Sequence, residues 1–448
     1  MISIKKGLNL PLRGVSQQKV DESRTTKTVA IVASNYVGMK PTMMVNVGDE
    51  VKIGQKCFED KKNSGVFFTA PGAGKVIEVN RGQKRAFQSV VIELNSNEEH
   101  TSFSSYSSKG VDAWDSTSVR NLLIESGMWT ALRTRPFSKT PQVDSSPSAI
   151  FINAMDTNPL ALDPSYVISL NKEAFQTGVK IVSKLSEGKT YVCKAAGKDV
   201  GLNSLGPVQV EEFSGPHPAG NVGTHIHFLH PVSSKRSVWH LGYQDVIAIG
   251  HLFKTGQLNL ERYVALAGPC VKEPRILKTR LGANCLELTE DQLAAGESRV
   301  ISGSVFSGTK CWGPFSYLGR FDNQITVVEE GRHREFLGWH APGSKKFSIK
   351  PVFVSALTGL SKVKITTNKN GSYRAMVPIG IYEKVMPLDI LPTQLLKALI
   401  TKNTDQAQAL GALELDEEDI AILTFADPGK VDFGPILREN LNIIEKEG

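Results

Sequence analysis

The apolar pattern changes its period three times along this chain, which confines it to several small cores in series. At 448 residues a single hydrophobic core stops growing, and three or four domains are expected. Residues 27–95 read as short strands cut by glycines: Thr28–Val37, the turn phrase Val45–Val51, then Val66–Val79 and Ser89–Leu94. Regular short strands with Gly-Asp turns predict a small antiparallel barrel or sandwich. Residues 96–118 are polar and serine-rich, as in a linker or exposed loop. Strand and helix patterns then alternate. Helices are expected over Ser118–Ser126, Lys172–Lys184 and Asp245–Lys254, and strands over Ala149–Ala154, Lys189–Lys194 and Gly223–Leu229. That alternation implies a parallel sheet covered by helices on both faces.

Strands return over Arg262–Ala267, Arg275–Leu281, Arg299–Ser304 and Ile325–Glu329. One helix is expected among them, Thr289–Ala295, with Glu290 and Asp291 favouring its N-terminal turn. Residues 331–375 are basic and irregular. Residues 388–448 read as helices with proline breaks, including Pro392–Thr401 and Glu417–Ala426.

Within and just before that last stretch lies the spacing of two iron–sulfur motifs without their cysteines. A bacterial-type cluster motif reads C-x2-C-x2-C-x3-C-P. Met376, Ile379, Tyr382 and Met386 stand in those slots before Pro387. Glu417, Ile420, Leu423 and Asp427 stand in them before Pro428. None of these side chains supplies a thiolate. The five cysteines, Cys57, Cys193, Cys270, Cys285 and Cys311, lie elsewhere, never in C-x-x-C spacing. That usage points to a reducing compartment, with neither a disulfide framework nor a thiolate metal site.

No run of eighteen apolar residues occurs, so no spanning helix is expected. The lysines near the start precede no apolar h-region, so no secretory signal is expected. The formal net charge is +7, and residues 1–95 carry 15 Lys or Arg against 8 Asp or Glu, so the rest is neutral in sum. A basic first domain suits anionic headgroups or an acidic partner. Nucleic acid is not expected: the basic residues are not interleaved with aromatics and no binding-motif pattern occurs.

His217, His225, His227 and His230 fall within fourteen residues. On a strand, His225 and His227 would share one face, as zinc sites often require. No carboxylate or cysteine of ligand spacing accompanies them, so packing is the expected role and no metal is assigned. The phosphate-cradling glycine signatures, the G-x-S-x-G elbow and H-E-x-x-H are all missing. In Met128–Phe137, arginines and aromatics could flank a planar ligand such as a quinone head. The competing reading puts Trp129 and Phe137 in the core and pairs the arginines with acids.

Long segments in register resemble the NqrA family, the A subunits of bacterial Na+-translocating NADH:quinone reductases. They include IKKGLNLPLRG, VGDEVKIGQ, GMWTALRTRPFSK, AMDTNPLA, GPHPAG, GTHIHFL, YEKVMPLD and LGALELDEEDIA. A more distant likeness is to the C subunit of the Rnf complex and the flavin-bearing subunit of respiratory complex I. In the Rnf relative, a glycine-rich loop approaches flavin phosphate where this chain has Ala131–Phe137. An acidic E-x-E-P is matched by Asp156–Pro159, and cysteines fill the slots that are empty here. The resemblance thus implies three cofactor sites lost together on a retained scaffold.

It also implies the architecture, a mixture of α/β and α+β in four domains. Residues 1–100 would form a barrel-sandwich hybrid (biotinyl/lipoyl-like) domain. Its Lys61 and Lys62 lie near where such domains carry a modified lysine, although the interval is longer and no biotinyl signature is present. Residues 101–257 would be Rossmann-like, 258–330 β-grasp (SLBB-like), and 331–448 mainly helical with the degenerate ferredoxin frame. The implied role is a peripheral, cofactor-free subunit on the cytoplasmic face of the bacterial inner membrane. It would sit in a six-subunit complex with five partners, the B to F subunits, chiefly on the membrane-embedded B subunit. FMN, FAD, riboflavin and Fe–S would belong to those partners, and the whole would reduce ubiquinone with NADH and export Na+. The alternative is direct contact with ubiquinone during its reduction to ubiquinol, through Met39, Arg133, Arg135 and Phe137.

Overall fold

The computed structural model describes residues 1–447 apart from 205, 334, 337, 339 and 359–361. Residues 28–94 form two facing antiparallel sheets. One is four-stranded, in the order Thr28–Val32, Phe87–Leu94, Gly74–Arg81, Glu50–Val51; the other is three-stranded, in the order Pro41–Met43, Lys56–Asp60, Phe67–Thr69. Alternate β-branched and aromatic residues (Val29, Ile31, Phe58, Phe68, Val90, Ile92) point between the sheets and are fully or nearly fully buried. Lys61 and Lys62 sit on the turn after Asp60, and the Asn63 amide beside them donates to the carbonyls of Thr140 and Pro141.

The second region is built on a six-stranded sheet. Its order is Ile2–Ser3, Val208–Ser214, Lys189–Ala195, Ala149–Ala154, Val238–Gly242, Arg133–Arg135, with only the last pair antiparallel. Helices Lys172–Val182 and Tyr243–Thr255 cover one face and Val222–Leu229 the other. The first two cross at glycines. A Cβ on Gly250 would lie 1.8 Å from the Ala174 carbonyl, and one on Gly178 1.9 Å from that of Val246. The extreme N-terminus pairs here through Ile2–Ser3, and Gln17–Asp21 joins the next sheet rather than the barrel.

The next sheet, that of the third region and called the third sheet below, runs Thr309–Lys310, Ser298–Ser302, Gln324–Glu329, Glu261–Ala267, Arg275–Arg280, Gln17–Asp21. The helix expected over Thr289–Ala295 is instead Cys285–Thr289. Asn284 caps it, accepting from the amides of Leu286 and Glu287, so the first-turn acid is Glu287. Asp291 lies past its end at φ +60°. The C-terminal helices Tyr382–Val385, Pro392–Ile400, Thr404–Ala409, Glu417–Ala426 and Phe433–Glu447 enclose a separate apolar core. No described helix is long and apolar enough to cross a membrane.

Candidate functional site

The slots of the empty frame, Ile379 excepted, lie in or against that C-terminal core. In two-cluster ferredoxins the fourth cysteine of each motif ligates the other cluster. The corresponding cross-pair here is Tyr382, third slot of the first frame, and Asp427, fourth slot of the second. The Tyr382 hydroxyl donates to Asp427 Oδ1 at 2.7 Å, with both residues buried. Asp427 also accepts from the amides of Gly429 and Val431. Burial and the bond to Asp427 push the Tyr382 hydroxyl pKa up. The other set brings Met386, Ile420 and Leu423 into the same core at 1% exposure or less, with Glu417 at its edge. Met376 is half-buried against it and Ile379 is exposed. Tyr382 and Asp427 thus meet through a side-chain hydrogen bond, and Met386, Ile420 and Leu423 through aliphatic packing.

The segment 131–137 does not form an open cradle either. Strand Arg133–Arg135 pairs with Val238–His240 and delivers Arg135, fully buried, to the first turn of helix Glu417–Ala426. Its guanidinium bonds Asp419 at 2.8 Å, Glu418 at 3.0 Å and the Glu414 carbonyl at 3.1 Å, with Asp416 at 3.5 Å. Arg438 approaches from the last helix, bonding Asp416 at 2.6 Å, both Glu417 oxygens, and the Phe137 carbonyl at 2.8 Å. Four carboxylates therefore face two guanidiniums. Burial and the neighbouring carboxylates push Glu417 and Glu418 up to about 7, whereas the two arginines hold Asp416 well below the usual range. The Asp419 carboxylate lies over the N-terminus of helix Val222–Leu229, where a Cβ on Gly223 would be 2.4 Å from both its oxygens. Phe137, at φ +76°, packs on the C-terminal core.

The crevice at the carboxyl end of the parallel sheet is also filled. Doubly wound sheets bind ligands where the strand order reverses, here beyond Ala149–Ala154 and Val238–Gly242. Asp156 there is turned onto its own loop, accepting from the amide and side chain of Asn158, and burial raises its pKa. Thr157 accepts from the Gly220 amide and Gln324 donates to the Pro159 carbonyl. A Cβ on Gly220 would stand 2.6 Å from the Thr157 nitrogen, so the loop lies directly on the crevice.

The four histidines do not converge. Gly223–Leu229 is helical, not a strand, because Val222, Ile226 and Leu229 repeat at helical spacing and outweigh the alternation of Ile226 and Phe228. His225 and His227 thus lose the shared face. His217 stacks on Phe306, His225 bonds the Ala219 carbonyl, and His230 meets Ser148. His227 Nδ1 lies 2.8 Å from Glu414, and its Nε2 accepts from the Asp389 amide. Among the described residues no group of three or more His, Cys, Asp or Glu side chains could hold a metal ion.

Met39 lies apart from the Arg135 node, whereas the Arg133 charge lies close enough to oppose the upward shift of Glu418. Met39 packs on the core shared by the first two regions, and Arg133 stacks 4.1 Å above the Phe321 ring. A small cavity of about 40 Å³ does open beside this segment, between the first three regions. Its walls are mostly aliphatic and include Met128 and Thr130, with Tyr36, Asn35 and Arg320 as polar groups. Behind it, Asp245 accepts from both Arg262 (2.7 Å) and Arg320 (2.5 Å), all three buried. Sequence reasoning found the segment but not Tyr36, Asp245, Arg262 or Arg320, which share no motif spacing.

Three family models match the chain: the NqrA N-terminal barrel-sandwich hybrid domain over residues 2–95, the NqrA second alpha/beta domain over 114–258, and the NQRA C-terminal domain over 263–313. Curated relatives match over the full length of both chains. The A subunits of Na(+)-translocating NADH-quinone reductases are 53% identical in Saccharophagus degradans, 54% in Pasteurella multocida and 53% in Vibrio alginolyticus. Among solved structures, a chain of an NAD+-reducing [NiFe]-hydrogenase aligns with 75% of this chain and 63% of its own length. Its TM-score is 0.40 at 10% identity, too loose a likeness to carry an argument.

Proposed function

Because the chain belongs to the NqrA family, the A subunits of the Na(+)-translocating NADH-quinone reductases, we propose that it is the cofactor-free scaffold and docking member of such a complex. The observation that supports this most is the cross-pair of Tyr382 and Asp427, where a hydrogen bond stands in place of two cluster ligands. The buried Arg135 node supports it from the second site, since the strand beside the former flavin loop now holds the C-terminal helices. On this reading the divisions 1–100, 101–257, 258–330 and 331–448 keep barrel-sandwich, Rossmann-like, β-grasp and ferredoxin-derived architectures without their ligands. The chain docks on the membrane-embedded B subunit at the cytoplasmic face. Flavins and iron–sulfur centres on its partners carry electrons from NADH to ubiquinone while Na+ is exported. Deleting the chain tests this: the rest of the complex should keep NADH oxidation with an artificial acceptor and lose quinone reduction or assembly. Intact assembly with unchanged quinone reduction would refute it.

The cavity favours a second reading, in which the chain contacts ubiquinone during reduction of the semiquinone to ubiquinol. Its aliphatic walls match a quinone ring in character, and Tyr36 and Arg320 match its carbonyl oxygens, although at about 40 Å³ it must widen to admit the ring. On that reading the contact set moves from Met39, Arg133, Arg135 and Phe137 toward Tyr36, Met128 and Arg320. Titration with a soluble quinone should give heat that Arg320→Ala abolishes; silence in the intact complex removes this reading.

A further inference from the structure

The neutrality of the chain beyond residue 95 is a cancellation. Residues 331–375 hold nine Lys or Arg against a single acid, Glu335, and that acid is already paired with Lys346. Lys345, Lys350 and Lys362 are exposed and have no acidic partner among the described residues. The same segment carries bulky apolar side chains in water: Phe336 is 93% exposed, Leu357 88% and Val352 69%. Its ends are fastened. The Arg13 amide donates to the Val363 carbonyl and the Val363 amide to that of Pro11, and the Thr367 amide donates to the Glu329 carbonyl at the end of strand Gln324–Glu329. Between these ends, the described residues present charge and apolar groups outward.

We propose that the described residues of 336–362 form a lipid-contact surface that takes an anionic bilayer, with phosphatidylglycerol-type headgroups against the lysines and Phe336 and Leu357 at the acyl boundary. The composition favours lipid over an acidic protein. Protein interfaces are depleted in lysine and enriched in arginine, and here six of the nine basic residues are lysines. Each lysine near an anionic leaflet adds attraction that salt screens, and exposed aromatic and aliphatic groups insert at the headgroup level. This goes beyond the scaffold reading and moves the membrane-facing charge away from the barrel, which also carries exposed basic residues such as Lys84 and Arg85.

The full-length chain should be tested by flotation with phosphatidylcholine vesicles, with and without one third phosphatidylglycerol. The expected result is binding to the anionic vesicles only, reversed by salt. The pair Lys345→Glu and Lys350→Glu should lower partition by about tenfold or more, and Phe336→Ser with Leu357→Ser should lower it further. Lys84→Glu with Arg85→Glu should change it little. Phe336→Trp should show a fluorescence blue shift on anionic vesicles, a readout independent of the charge-reversed variants. Equal affinity for both vesicle types, no binding at low salt, or a larger loss from the barrel variant would each overturn the proposal. So would loss of the charge-reversed chain from a delipidated, detergent-held complex, because the surface would then be meeting protein.

Discussion

Two buried ion clusters join the parallel-sheet region to its neighbours, and they are built with opposite charge balance. Toward the C-terminal helices, Arg135 and Arg438 face the four carboxylates of residues 416–419. Toward the third sheet, Arg262 and Arg320 share the single carboxylate of Asp245. The first is surplus in negative charge and is eased by the helix N-terminus on which its acids stand. The second is surplus in positive charge, and burial beside Arg320 lowers Arg262 to about 10. The difference fits their surroundings: the acid-rich node is sealed between helices, while the arginine-rich node backs onto the cavity, where an electron-rich group would find an unmatched charge.

Removing the central cation of the acid-rich node should have the largest effect. Arg135→Ala leaves Asp416, Glu418 and Asp419 facing one another, and breaking a buried pair in this way costs about 3–5 kcal/mol. Thermal unfolding and limited proteolysis should show the C-terminal helices released first. A cost under about 1 kcal/mol would mean that the node is hydrated and not a strut.

At the other junction Asp245→Asn keeps an oxygen acceptor for both arginines and loses only the charge. Its expected cost is about 3 kcal/mol, the low end for a broken buried pair, because both hydrogen bonds survive. The loss should fall on contacts of the third sheet, read by hydrogen exchange. If Asp245→Asn instead destabilised more than Arg135→Ala, the ranking of the two nodes would be wrong.

Inside the C-terminal core, Tyr382→Phe removes one donor from Asp427 and leaves its two backbone donors in place. About 1–2 kcal/mol is expected by denaturation of the helices, without release from the sheet region.

The smallest effect is one of pH. Glu417 and Glu418 titrate near 7 in the folded chain, above the 4.5 of the free side chain. Their contribution is therefore fully present below about 4.5 and is lost as pH rises through 7. Asp416 works in the opposite sense, losing its contribution as pH falls below its usual value. Amide protection around residues 414–420 should be greater at pH 6 than at pH 8.

Much of this was legible in the chain. Ala149–Ala154 and Glu417–Ala426 coincide with their expected spans, because continuous β-branched and aliphatic runs and a well-capped acidic first turn are local signals. Where observed and expected spans differ, local signals compete. Asn284 started a helix earlier than Glu290 suggested, and helical repeats beat alternation at Val222–Leu229. The frame slots were found by spacing alone, but the meeting of Tyr382 with Asp427 across 45 residues is a tertiary fact. Likewise the sequence offers Arg135 either as a ligand contact or as a partner of acids; the structure bears out the second, and only folding shows that the partners lie 279 to 284 residues away.

The central claim is that the cluster slots are filled by the protein itself. It is tested most directly by anaerobic treatment of the purified chain with iron, sulfide and FMN, followed by desalting and measurement of visible absorption with iron and flavin content. The account predicts a colourless protein without stoichiometric iron or flavin. A broad visible band with iron retained in proportion to the chain would contradict it.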